Sequence, residues 1–250
     1  MARIRCAGGV LAHGRTRPKL DLGSQRGCHG RNNGSRSLIA GLARGDGVVS
    51  DAQRAIGRRR LHVHPITSRP RVTLPDLLCD GLDVVFIGIN PSLYSVLQGH
   101  YFARKTNRFW PAFSRSALSE PARRALGVER LEPVHDTALQ AHGIGFTDVV
   151  KRATARADQL DPAEFAAATR DLVVKLETYQ PRLACFHGMM GYRPFIRQHA
   201  PTLPQPILGE QMLRIGRTRL FVVPNPSPAN AHASPAIQAE WYDRIAAALD

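Results

Sequence analysis

Residues Val84-Val85-Phe86-Ile87-Gly88-Ile89 form an almost unbroken apolar run that stops at Asn90-Pro91-Ser92. An apolar run without polar alternation predicts a strand buried on both faces, which is the signature of a parallel sheet. Pro91 fixes its own backbone and biases Asn90 toward an extended conformation, so the strand, read over 83–89, should end here. In open α/β sheets the ligand crevice lies at the carboxyl ends of the strands. Asn90 is then either a side-chain amide delivered to such a crevice or part of an Asn-Pro turn that merely closes a strand.

The 250-residue chain is long enough for one α/β domain plus an appendage, and its 43% hydrophobic content is that of a globular protein. No apolar run approaches the ~20 residues of a membrane span, and the N-terminus lacks the apolar core of a secretory signal. The expectation is a cytoplasmic, nucleoid-associated protein without a membrane partner. Cys6, Cys28, Cys79 and Cys185 show no CxxC spacing. Neither zinc nor an iron–sulfur cluster is therefore suggested, and reduced, unpaired thiols are expected, with Cys185 in the core.

The formal charge of +14 is unevenly spread: residues 1–70 hold 14 Lys+Arg against 3 Asp+Glu, and residues 71–250 hold 20 against 17. Residues 1–70 are rich in Gly, Arg, Ser and His, without a sustained period. They read as a disordered basic segment, at most locally helical around 52–60. Such a segment could scan DNA through its phosphates. It could equally be an inert tail, or an upstream extension foreign to the native protein.

The folded domain is expected over 71–250. After the first strand comes a loop over 94–105, then a helix opened by Asn107-Arg108-Phe109-Trp110, with Phe109, Trp110, Phe113 and Ala117 at helical spacing. A short helix is expected over 121–126. The glycines of His142-Gly143-Ile144-Gly145-Phe146-Thr147-Asp148-Val149-Val150 predict a turn into a short strand. Asp161-Pro162-Ala163-Glu164 is a capping-box helix start, and Phe165, Ala168, Leu172, Leu176 and Tyr179 form the apolar stripe behind it, ended by Pro181. A buried strand over 183–186 and a helix with Tyr192, Phe195 and Ile196 follow. Strands over 211–215 and 219–223 pair through Gly216, and a closing helix runs over 235–249. Strands alternating with helices predict an α/β fold, a three-layer α/β/α domain with a mainly parallel central sheet.

The last of these strands runs into Pro224-Asn225-Pro226-Ser227-Pro228-Ala229-Asn230-Ala231-His232, a second Asn-Pro-Ser placed directly after a buried strand. If the two strands are parallel neighbours, both loops face one cleft. Otherwise each Asn-Pro-Ser only marks a turn.

In these motifs the sequence resembles the mismatch-specific uracil/thymine-DNA glycosylases of the uracil-DNA glycosylase superfamily. The resemblance is carried by Gly88-Ile89-Asn90-Pro91, Gly99-His100-Tyr101-Phe102, Asn107-Arg108-Phe109-Trp110, Gly143-Ile144-Gly145-Phe146-Thr147-Asp148, Tyr179-Gln180-Pro181 and Pro224-Asn225-Pro226-Ser227. Each motif alone is weak, but the ordered set, running from about Leu74 to the end, is specific. It implies the uracil-DNA glycosylase-like fold and a monofunctional base-excision-repair enzyme that needs no cofactor or metal. The reaction would hydrolyse the N-glycosidic bond of a flipped uracil, or of a related base such as thymine opposite guanine. The enzyme would act as a monomer on double-stranded DNA.

The resemblance implies that Asn90 holds the attacking water, which an amide can orient but not deprotonate. It assigns Gly88, Ile89, Pro91, Ser92, Phe102 and Asn107 to the base pocket. Phe102 would stack on the flipped base, or else simply pack its loop. Asn225, Ser227, Pro228, Ala229, Asn230 and His232 would meet DNA, with Ala229 as a small wedge. Asp148 departs in type from the family. It could polarise the water held by Asn90, or it could cap the next turn or pair with Arg152. A non-catalytic lesion-binding module on the same fold is the alternative reading. A nucleotide-binding protein is disfavoured, because neither GxGxxG nor a Walker lysine is present.

Overall fold

The computed structural model describes residues 73–231 and 233–250. The expectations for the N-terminal segment over 1–70 and for His232 lie outside the described residues.

The Val84 run folds as strand β1 (Val84–Gly88), with every residue buried. Its side chains alternate between two cores, as the two-residue period of a strand requires. Val84 and Phe86 enter a cluster with Phe109, Trp110, Phe113, Tyr242 and Ile245. Val85 and Ile87 enter a second cluster with Phe165, Leu172, Leu176, Tyr192 and Phe195. Helices α2 (Phe109–Phe113), α3 (Glu120–Leu126) and α6 (Pro235–Leu249) thus cover one face of the sheet, and α4 (Pro162–Tyr179) and α5 (Met189–His199) cover the other. This is the three-layer α/β/α architecture, with a five-stranded, mostly parallel sheet.

The strand order is β2-β1-β3-β5-β4, where β2 is Ile144–Asp148, β3 Leu183–His187, β4 Gly209–Ile215 and β5 Thr218–Val223. Strands β2, β1, β3 and β5 run parallel, and β4 pairs antiparallel with β5. The two strands that precede the Asn-Pro-Ser loops are therefore parallel but not neighbours, because β3 lies between them. Both loops still leave the same edge of the sheet.

Three further expectations are corrected. The segment read as loop over 94–105 begins with helix α1 (Leu93–Gln98), capped by the Ser92 hydroxyl, which accepts from Ser95 N at 3.0 Å, and ended by left-handed Gly99. Leu93, Val96 and Leu97 stand at helical spacing, but a helix of 6 residues is too short for that period to be read from the sequence. Helix α2 stops at Phe113 rather than reaching Ala117. There the Ser116 hydroxyl donates to Phe113 O at 2.7 Å and competes with helix continuation. The expectation of unpaired thiols holds for buried Cys185 but not for Cys79, which is disulfide-bonded. Separation along a sequence does not bound distance in space.

Helix α4 begins as its capping box predicts. Asp161 Oδ1 accepts from Ala163 N at 2.7 Å, and Glu164 Oε2 accepts from Asp161 N at 2.9 Å. Among the described residues, no helix is long and apolar enough to cross a membrane.

Candidate active site

The carboxyl edge of the sheet brings one residue from each of three strands into a row. Gly88 of β1 pairs in register with Asp148 of β2, and His187 of β3 follows Phe186, the partner of Ile87. By strand alternation all three belong to the face covered by α2 and α6. Gly88 lacks a side chain for a visible reason: a Cβ there would fall on Asp148 Oδ1, and it would stand 3.9 Å from the tip of the Phe102 ring. The missing Cβ is the space in which the carboxylate lies.

Phe102 overhangs this row. Its ring stacks on Phe109 (4.4 Å between centroids, 18°) and meets His187 edge-on at 5.1 Å. Its φ of +52° is left-handed, a conformation that costs a bulky residue about 1–3 kcal/mol and persists only where neighbours enforce it. The neighbours here are explicit. Asp136 Oδ2 accepts from Tyr101 N at 2.9 Å, and Asp136 Oδ1 meets His100 Nδ1 at 3.1 Å. Trp110 Nε1 donates to Tyr101 O at 2.9 Å, and Tyr101 OH donates to Pro75 O at 2.9 Å. Asp136 and Trp110 thus hold the aromatic ring over the site from one residue away.

Asn90 stands just past β1, where pairing between the two chain segments continues beyond the strands: Thr154 N donates to Pro91 O and Leu93 N to Thr154 O. Asn90 Nδ2 donates to Arg152 O at 2.9 Å and to Thr154 Oγ1 at 2.7 Å. A backbone carbonyl can only accept, so the atom facing it is the amide nitrogen, and Oδ1 is left pointing away as an acceptor. Among the described residues, no donor occupies Oδ1.

Arg152 is itself fixed. Its Nε and Nη2 grip the Glu164 carboxylate at 2.5 and 2.7 Å, the same carboxylate that caps α4. The alternative pairing of Asp148 with Arg152 is thereby corrected: a bidentate partner on α4 takes the guanidinium, and the cation nearest Asp148 is Lys151, at 3.5 Å.

Asp148 is almost fully buried. Burial pushes its carboxyl up to about 6, against the lowering pull of Lys151. His187 is pushed down to about 3 by burial and is therefore neutral at physiological pH. Its Nε2 lies 3.0 Å from Tyr242 OH, which also accepts from Gln238 Nε2 at 3.1 Å.

The second loop is tied to the first region by Arg108. Arg108 N donates to Pro226 O at 3.0 Å, and its guanidinium donates to Asn230 O at 2.6 Å and Ser227 O at 3.3 Å. Asn225 Oδ1 accepts from Ser227 N at 2.9 Å, and Asn230 Nδ2 donates to Asn225 O at 3.0 Å. Pro228 and Ala229 are exposed at the tip of the loop.

The structure therefore gathers Gly88, Asp148 and Phe102 together, with Asn90 beyond the end of the same strand. Three residues expected in the pocket do other work. Asn107 Oδ1 accepts from Phe109 N at 2.9 Å and starts α2, and the Ile89 side chain is buried in the opposite core layer. Ser92 caps α1. His187, Asp136 and Lys151 carry no signal in the sequence beyond their residue types, and the sequence marks Glu164 only as a helix cap and Arg108 only as part of a motif. Their partners lie far along the chain, 119 residues away for Arg108 and Ser227.

A family model described as the uracil DNA glycosylase superfamily matches residues 75–249. The chain belongs to this superfamily. The match takes in both Asn-Pro-Ser loops and every strand of the sheet. Membership of the superfamily points to DNA glycosylase chemistry. A solution NMR structure of a candidate uracil DNA glycosylase from Methanosarcina acetivorans is 20% identical. The alignment covers 70% of this chain and 98% of that one, with a TM-score of 0.43, and adds no further argument.

Proposed function

We propose that this chain is a monofunctional DNA glycosylase. It hydrolyses the N-glycosidic bond of a flipped uracil, or of a related deaminated or mismatched base such as thymine opposite guanine, and acts as a monomer on double-stranded DNA. The observation that carries the reading is Asn90, whose amide nitrogen is engaged by Arg152 O and Thr154 Oγ1 so that Oδ1 is free to accept.

A water that donates to Asn90 Oδ1 keeps a lone pair for attack on C1′ of the sugar. As the C1′–O bond forms, the C1′–N bond breaks and the base departs with the bonding electrons. The water must then lose a proton, which an amide cannot take. The ionised carboxylate of Asp148 takes it, and a carboxyl poised at about 6 is suited to that role near neutral pH. Phe102 offers a face on which the extruded base stacks. Exposed Ala229, on the loop held by Arg108, meets the duplex as a small wedge, with Ser227 and Asn230 toward the backbone. We assign the activity to residues 71–250.

Single-turnover cleavage of duplexes bearing G·U, A·U, G·T or G·hypoxanthine tests this reading. Excision is expected with wild type, and Asn90→Ala should slow it at least ~100-fold, the scale of losing one oriented polar group in an active site. Asp148→Asn should slow it too and remove the fall in rate below pH 6. Lesion-dependent binding without cutting of any duplex would instead favour the non-catalytic module.

A further inference from the structure

Beside the candidate site, where Leu77 pairs antiparallel with Phe146 on the outer edge of β2, lies a half-buried group of charges that the mechanism above does not use. Asp76 is its centre. Asp76 Oδ1 accepts from Thr147 Oγ1 at 2.7 Å and from Lys151 Nζ at 2.8 Å, and Asp76 Oδ2 lies 2.7 Å from Lys175 Nζ on α4. Burial works against the charge of Asp76, but Lys151 and Lys175 together hold its carboxyl below the ordinary range. Lys151 Nζ donates to Asp76 and to Tyr101 OH at 3.1 Å, and it stands 3.5 Å from Asp148 Oδ2 as an ion pair. The Lys151 backbone is pinned as well, its carbonyl accepting from the Thr73 hydroxyl. Asp148 Oδ2 is buried and has no hydrogen-bond partner among the described residues, so the Lys151 charge is what faces it.

The charges close on themselves. Asp76, Lys151 and Lys175 sum to one positive charge, which an ionised Asp148 balances. Tyr101 remains a neutral phenol, its ionisation pushed far up by burial and then by Asp148, Asp76 and Asp136. We propose that Lys151 is a positioning residue: braced by Asp76 at the sheet edge, its ammonium holds the Asp148 carboxylate over Gly88 in its ionised, proton-accepting form. The role in excision rests on the glycosylase reading, whereas the electrostatic arrangement does not. In this proposal Lys151 acts only through Asp148.

The test is the pH dependence of single-turnover excision in full-length Lys151→Gln, Lys151→Arg, Asp148→Asn and the Lys151→Gln/Asp148→Asn double variant. It is paired with a ¹³C NMR titration of the Asp148 carboxyl in DNA-free protein. Loss of an opposite charge at this range should move the acid limb and the NMR midpoint upward by about one pH unit in Lys151→Gln. Lys151→Arg should restore both, and in the double variant the limb should be absent, as in Asp148→Asn alone. An unchanged midpoint in folded Lys151→Gln overturns the proposal. Should Lys151→Gln fail to fold, Lys151→Met, which keeps the length of the side chain and loses its charge, decides in the same way: an upward NMR midpoint supports the proposal and an unchanged one overturns it. A shifted NMR midpoint in a protein that excises no base would sink the glycosylase reading and leave the charge arrangement standing.

Discussion

Asp148 is held in the folded protein at a cost. An unfolded aspartate titrates near 3.8 and the folded one near 6, so the folded state binds an extra proton between those pH values. Stability from this group is present below pH 3.8 and is lost as pH rises through 6. Asp148→Asn should therefore stabilise the protein by about 1–3 kcal/mol at pH 7.5, with the gain fading toward pH 4, as read by urea unfolding at both pH values. The same substitution is expected to slow excision, so one side chain opposes stability to activity. Position 148 was visible in the sequence because the Gly-Ile-Gly-Phe-Thr-Asp run led to it. The brace behind its neighbour Lys151 was not, since Asp76 and Lys151 meet across 75 residues and neither belongs to a periodic pattern.

At the scale of elements, legibility followed local physics. Strand β1 and helix α4 were readable because an apolar run and a capping box are written in consecutive residues. Helix α1 was not, because its 6 residues are too few to establish a helical period. The position of β3 between the two loop-bearing strands was also hidden, since sheet order is set by how crossovers pack rather than by any strand's own pattern. Arg108 belongs to the same class of long-range effects. It joins the start of α2 to the loop over 225–230 through two loop carbonyls and its own amide. Arg108→Met should release that loop, weakening lesion-duplex binding about tenfold in a fluorescence anisotropy titration while leaving the fold intact.

Over the whole molecule, the basicity and the candidate chemistry occupy different stretches. Residues 71–250 carry 20 Lys+Arg against 17 Asp+Glu, so on the proposed reading the family-matched region would meet DNA with little net charge and rely on local geometry. That geometry includes a shared carboxylate: Glu164 both caps α4 and grips Arg152, whose carbonyl in turn orients Asn90. Helix ends open locally at lower free energy than the global fold. Each time the first turn of α4 frays, the grip on Arg152 loosens and the aim of the Asn90 amide is lost. On heating, excision should therefore fail before the protein melts. Its initial rate should bend below the Arrhenius line at temperatures where the near-UV circular dichroism of the core aromatics is still native.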